Sequence, residues 1–218
     1  MPYRNLVEKN AIIKITLNRK ECPITKPKNK SRNLQSRISL HEPELSIRQH
    51  LLELYNNRSF DRVLLLAAKL QIRFPNSLTL FNLMGAANIG LGRKTEAIKC
   101  YERALKKNPN YAEAYNNMGV VLKDLTRIED AIKCYKKAIE LNSKYSDAYY
   151  NLGTAEKEIG KLDDAINSFN QAINIRPDYT AAMNNKALTE QAKGNHESAI
   201  LLYKDILKIT PDNAEALN

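Results

Sequence analysis

The sequence predicts an all-α chain, a right-handed superhelical solenoid of antiparallel helix hairpins with a 34-residue repeat. Self-similarity is the first ground. Units beginning at Leu78, Ala112, Ser146 and Thr180 align with Gly85, Gly119, Gly153 and Ala187 at position 8. They carry Ala97, Ala131, Ala165 and Ala199 at position 20, and Tyr101, Tyr135, Phe169 and Tyr203 at position 24. A fixed period of this length marks hairpins that bury their apolar faces against one another. Composition is the second ground: 7 Gly and 8 Pro in 218 residues favour helices over a turn-rich sheet. The third is the scarcity of large anchors, 4 Phe and no Trp, which argues against one deep core.

Each recurring residue type has a physical reason. Small side chains at positions 8 and 20 let the two helices of a hairpin approach closely, and the aromatic at 24 with its apolar neighbours fills the space between adjacent hairpins. Position 27 holds Ala104, Ala138, Ala172 and Ile206. Position 32 holds Pro109, Ser143, Pro177 and Pro211, where a proline ends the second helix because it lacks an amide hydrogen. Gly92, Gly160 and Gly194 fall at position 15, where the first helix must end in a left-handed residue. Thr126 replaces that glycine in the second unit and predicts a tighter or mildly strained turn. Glu96, Glu129, Asp130, Asp163, Asp164 and Glu197 lie where carboxylates complement the start of the second helix.

Gly at 8, Ala at 20, an aromatic at 24, Ala at 27 and Pro at 32 resemble the tetratricopeptide repeat family over residues 78–213. The four units are 78–111, 112–145, 146–179 and 180–213. A degenerate hairpin is expected at 44–77, with Leu51, Val63, Ala67, Leu70 and Pro75 at the marker positions and helices over about 44–56 and 61–73. Terminal repeats are commonly atypical because one side faces solvent. Residues 1–43 fall outside the phase and read as a basic, flexible arm with a short strand or helix at 6–17. Residues 214–218 restart a repeat without finishing it, and Leu201 and Leu202 stand where earlier units are more polar. Such an uncapped apolar end predicts a chain that continues, or self-association through the C-terminal hairpin.

The family resemblance implies that positions 2, 5, 6, 9, 12 and 13 of each first helix line an inner, concave face. Position 6 is Asn117, Asn151 and Asn185, and position 5 is Asn82, Asn116, Tyr150 and Asn184. An asparagine offers both a donor and an acceptor, matching a peptide backbone. This row, with the strings AYNNMGVVLKDL and AYYNLG, resembles the repeats of O-linked N-acetylglucosamine transferases, which implies a polypeptide bound in the groove. Leu83 at position 6 of the first full unit departs from the row, and the catalytic domain of those enzymes is absent from this chain. The same asparagines would also suit a partly exposed helix face beside a neighbouring hairpin. Chaperone-binding repeats that clamp a terminal carboxylate want Lys at 5, Asn at 6 and 9, then Lys at 2 and Arg at 6. Ala86, Val120, Thr154 and Leu188 at position 9, and Thr79, Glu113, Asp147 and Ala181 at position 2, do not follow that pattern.

No catalytic constellation is expected. His41, His50 and His196 have no partner at ligand or triad spacing, and no cofactor or metal set is apparent. The stretch Gly85–Thr95 fails as a phosphate loop, since Lys-Thr should directly follow the second glycine. Asp163-Asp164 reads as helix-start charge. Cys100 and Cys134 each sit in the pentapeptide AIKCY, so repeat phase explains their spacing, and a reducing, cytoplasmic setting fits. No apolar run reaches the roughly 18–20 residues of a membrane span. Ala11–Leu17 is interrupted by Lys14, and neither a secretory leader nor a transit peptide is expected.

Charge sits mainly at one end: residues 1–43 hold ten Lys/Arg against three acids, a net of +7, and the remainder carries +3. Lys26, Lys28, Lys30, Arg32 and Arg37 lack the interleaved aromatics that stack on bases. The leading expectation is therefore a non-catalytic scaffold that binds an extended segment of a partner protein. The alternative is the substrate-targeting portion of a larger, glycosyltransferase-like enzyme. Electrostatic nucleic-acid binding through the arm is the weaker one.

Overall fold

The computed structural model describes residues 42–210, which form ten α-helices with no strand among them. α1 (Leu45–Asn56) pairs with α2 (Phe60–Arg73) and α3 (Leu78–Gly90) with α4 (Lys94–Lys107), and α5 (Ala112–Asp124) and α6 (Ile128–Leu141) follow in the chain. The series continues with α7 (Ser146–Glu158) and α8 (Leu162–Ile175), then α9 (Thr180–Ala192) and α10 (His196–Ile209). The first helices begin at Leu45, Leu78, Ala112, Ser146 and Thr180. The arm, the short element expected at 6–17 and residues 214–218 lie outside the described residues. Glu42, counted with the arm, instead caps α3: its Oε1 accepts from the Leu78 amide at 2.8 Å and its Oε2 from the Ser77 hydroxyl.

One hydrogen-bond pattern ends every first helix. The position-16 amide reaches back to the position-11 carbonyl, as from Arg93 to Asn88 (2.8 Å), Arg127 to Leu122 (2.9 Å) and Asn195 to Glu190 (2.9 Å). The position-15 amide bonds the position-12 carbonyl, completing a cap whose first residue outside the helix must be left-handed. Gly92, Gly160 and Gly194 adopt φ of 73°, 76° and 86° there. Thr126 is forced to φ 60°, and Arg58 of the degenerate hairpin to 55°. A β-branched residue in that region carries a steric penalty of its own. Thr126→Gly is expected to stabilise the chain by about 1 kcal/mol, read as a higher urea midpoint at unchanged slope. No gain would show that the turn carries no strain.

The second helices start with the acids expected of them: Glu96 on α4, Glu129 and Asp130 on α6, Asp163 and Asp164 on α8, and Glu197 on α10.

The described residues fall into two compact units, dividing between Val121 and Leu122 inside α5. In the first, α3 is apolar nearly all round and buries eight of its 13 residues, because hairpins pack on both sides of it. Leu80, Leu83 and Ala87 meet Leu51, Val63, Ala67 and Phe74 of the degenerate hairpin. Phe81 meets Ala104 and Ala114 on the other side. Gly85 is required by contact: a Cβ there would lie 2.5 Å from the ring of buried Tyr101. In the second unit, Tyr150, Ala165, Phe169, Ala172, Tyr179 and Ala182 form one cluster across α7, α8 and α9. Gly153 fills the role of Gly85, its missing Cβ position lying 2.8 Å from the Phe169 ring.

Candidate functional site

The seven residues singled out from the sequence all lie on first helices, as repeat phase demands, but they differ sharply in exposure. Asn116 and Asn117 on α5 are fully buried, Asn82 on α3 is 2 % exposed and Asn151 on α7 is 3 % exposed. Tyr150 is buried as well, while Asn184 and Asn185 on α9 are half-buried.

Much of the row is tied together internally. In the first unit the Asn117 Nδ2 donates to Asn82 Oδ1 at 2.8 Å, and Asn116 Nδ2 donates to Asn117 Oδ1 at 3.3 Å. In the second unit Asn185 Nδ2 donates to the Tyr150 hydroxyl at 3.2 Å and to the Ala181 carbonyl at 3.0 Å. Both inter-hairpin bonds join position 5 of one hairpin to position 6 of the next, a step of 35 residues. That step is visible in the sequence as the pairs Asn82/Asn117 and Tyr150/Asn185, whereas alignment at 34 hides it. A buried amide is retained because leaving its partner unsatisfied costs about 1–3 kcal/mol.

Two lysines of the second unit lie outside the residues singled out from the sequence. Lys157, at position 12 of its repeat, donates to Asn185 Oδ1 at 2.9 Å. Lys123, at the same position one repeat earlier, stands 3.6 Å from Glu158. Burial holds the Lys157 ammonium below the ordinary lysine range; Glu158 works against that shift and Lys123 adds to it. Leu188, one turn beyond Asn184 and Asn185, is exposed. The recurrence of lysine at position 12 was the available signal.

Other polar groups serve the packing. Asp147 at position 2 is buried and accepts from Arg176 Nη2 at 2.8 Å, and the Arg176 guanidinium lies 3.3 Å from the centroid of the Tyr179 ring. Glu156 is buried beside Ser168, whose hydroxyl donates to it at 2.7 Å, and burial raises its carboxyl above the usual range. Burial also raises both thiols, Cys134 to about 11, as befits packed rather than reactive cysteines. His50 is exposed 3.8 Å from Glu53, and His196 opens α10 in solvent. Among the described residues no three or more His, Cys, Asp or Glu gather into a metal-binding group. Nor is any helix among them long and apolar enough to cross a membrane. On the last described hairpin Ile200, Leu201 and Ile209 are exposed, and Leu202 is half-buried. The arm lysines and arginines lie outside the described residues.

Three family profiles match the chain: a TPR repeat at residues 85–126, and tetratricopeptide repeats at 110–178 and at 150–214. Jointly they span more than half of its length. The chain belongs to the tetratricopeptide repeat family. Solved tetratricopeptide-type structures share its fold. MamA is 26 % identical with a TM-score of 0.66, covering 75 % of this chain and 95 % of its own. YrrB, described as a TPR protein with an unusual peptide-binding site, is 22 % identical at a TM-score of 0.62, covering 84 % and 94 %. The PilF protein of Pseudomonas aeruginosa is 18 % identical at a TM-score of 0.72, covering 79 % and 78 %. No curated protein sequence matches the chain.

Proposed function

We propose that this tetratricopeptide repeat protein is a non-catalytic scaffold that binds an extended segment of a partner polypeptide along the first helices of its hairpins. The carrying observation is α9, where half-buried Asn184 and Asn185 stand beside exposed Leu188. Asn185 Oδ1 keeps a second lone pair beside its bond from Lys157, an amide side chain at 184 has both a donor and an acceptor group, and the leucine supplies an apolar contact. The resemblance of the asparagine row to transferase repeats supports a polypeptide ligand, as does the peptide-binding site described for YrrB. Asn82, Asn116 and Asn117 of the first unit and Asn151 of the second are buried. In the first unit the Asn117–Asn82 bond ties adjacent hairpins together, so a segment meeting that unit would find a prearranged face.

A random peptide library displayed on phage and selected against the full chain tests this. Enriched peptides are expected, and Asn184→Ala with Asn185→Ala should weaken them about tenfold, the worth of one or two hydrogen bonds, with far-ultraviolet circular dichroism unchanged. Equal binding by the native and doubly substituted chains would remove α9 from the site. A library that enriches nothing would remove the groove reading altogether.

A further inference from the structure

We propose that Lys157 and Lys123 form a binding site for an acidic side chain of the bound segment, a conclusion that rests on the peptide-binding reading above and names its chemistry. Lys157 sits at the end of α7, and its ammonium is half-buried against the neighbouring first helix. Its bonded acceptor is the neutral amide oxygen of Asn185, at 2.9 Å. Among the described residues no carboxylate lies within ion-pair reach of it. Removing an ammonium from water without an opposing charge is costly, so such a group is normally paired.

Lys123 does not relieve this. Among the described residues its ion pair is with Glu158, at 3.6 Å, too long for a hydrogen bond and partly exposed on both sides. Glu158 is ion-paired with Lys123 and not with Lys157. The partial burial of Lys157 depresses its proton affinity; Glu158 opposes this and the Lys123 ammonium adds to it. An aspartate or glutamate entering from a ligand would receive charge-assisted hydrogen bonds from Lys157 and bring the local charge toward balance. Asn185 is already held by the Tyr150 hydroxyl and the Ala181 carbonyl, so it fixes where the Lys157 ammonium points. Exposed Leu188 on α9, the helix that carries Asn185, makes the surface better suited to a peptide than to a free inorganic anion. The site uses position 12 of two repeats and position 6 of a third. It thus differs from the chaperone clamp, whose lysines stand at positions 5 and 2.

The same display selection separates the outcomes. Peptides enriched on the native chain should share Asp or Glu at one position. Lys157→Gln should weaken such a peptide about tenfold, as should replacing its acid by the amide. The two changes together should cost little more than either alone, and Lys157→Arg should restore most of the binding. Lys123→Gln should weaken it by a smaller factor, and added salt should narrow every difference. Enriched peptides without an acidic preference would overturn this inference and leave the groove reading standing. Equal losses for acidic and amide peptides on Lys157→Gln would also overturn it, since a merely structural lysine behaves that way. A library that enriches nothing removes the groove reading itself, and the inference with it.

Discussion

Phe169→Ala is expected to destabilise the second unit by about 3–5 kcal/mol, among the largest single-residue effects in the chain. The ring is fully buried on α8, 6.1 Å from that of Tyr150, and it fills the gap left by Gly153. Truncation removes its transfer energy and leaves a cavity that cannot collapse, because both flanking helices are held by other contacts. The reciprocal change makes the same point from the other side. Gly153→Ala places a Cβ 2.8 Å from the ring and 3.0 Å from the Ala165 carbonyl oxygen, and the second neighbour is backbone that cannot swing away. Overpacking of that kind costs about 1–3 kcal/mol, and Phe169→Leu should relieve part of it. Repeat proteins can unfold in stages, so hydrogen exchange is the suitable measurement. Amides of α7, α8 and α9 should lose protection together. A loss under about 1 kcal/mol would mean that this interface repacks freely.

The second large effect is expected at Arg176. Arg176→Ala leaves the Asp147 carboxylate buried without its 2.8 Å guanidinium partner and strips the cation from the face of Tyr179. Breaking such a pair from one side costs about 3 kcal/mol, chiefly through the uncompensated charge. Asp147→Asn in the same chain should recover a large part of the loss, because an amide tolerates burial better than a carboxylate that has lost its cation. Thermal unfolding of the two single variants and the double variant checks this. Additive losses would show that the two groups act independently.

Neither effect was equally legible in the sequence. The opposition of Gly153 and Phe169 follows from the phase, since positions 8 and 24 recur as a small residue against an aromatic in every full unit. Arg176 and Asp147 recur nowhere: position 31 is Asn108, Asn142 and Thr210 elsewhere, and position 2 is Thr79, Glu113 and Ala181. A one-off pair leaves no periodic trace. Thr126 was legible because it breaks a rule set by three glycines, and its φ of 60° is the cost of that exception. The asparagine row was legible as a pattern but not as a set of exposures. Asn117 and Asn185 occupy the same repeat position, yet one is fully buried and the other half-buried.

Local chemistry accounts for that division. A 34-residue period, small residues at the close contacts, a left-handed cap and an acid-rich helix start are short-range requirements, and each is written into the residues that meet it. Among the described residues, ten helices and the ends of the first helices follow from those requirements. Which amides are buried, and which lysine lacks a carboxylate, depends on where the next hairpin comes to rest. Asn117 reaches back 35 residues to Asn82, and Lys157 reaches forward 28 residues to Asn185. Those distances in sequence collapse to under 3 Å only when hairpins stack, because neighbouring first helices, rather than neighbouring residues, set the polar surroundings of each side chain.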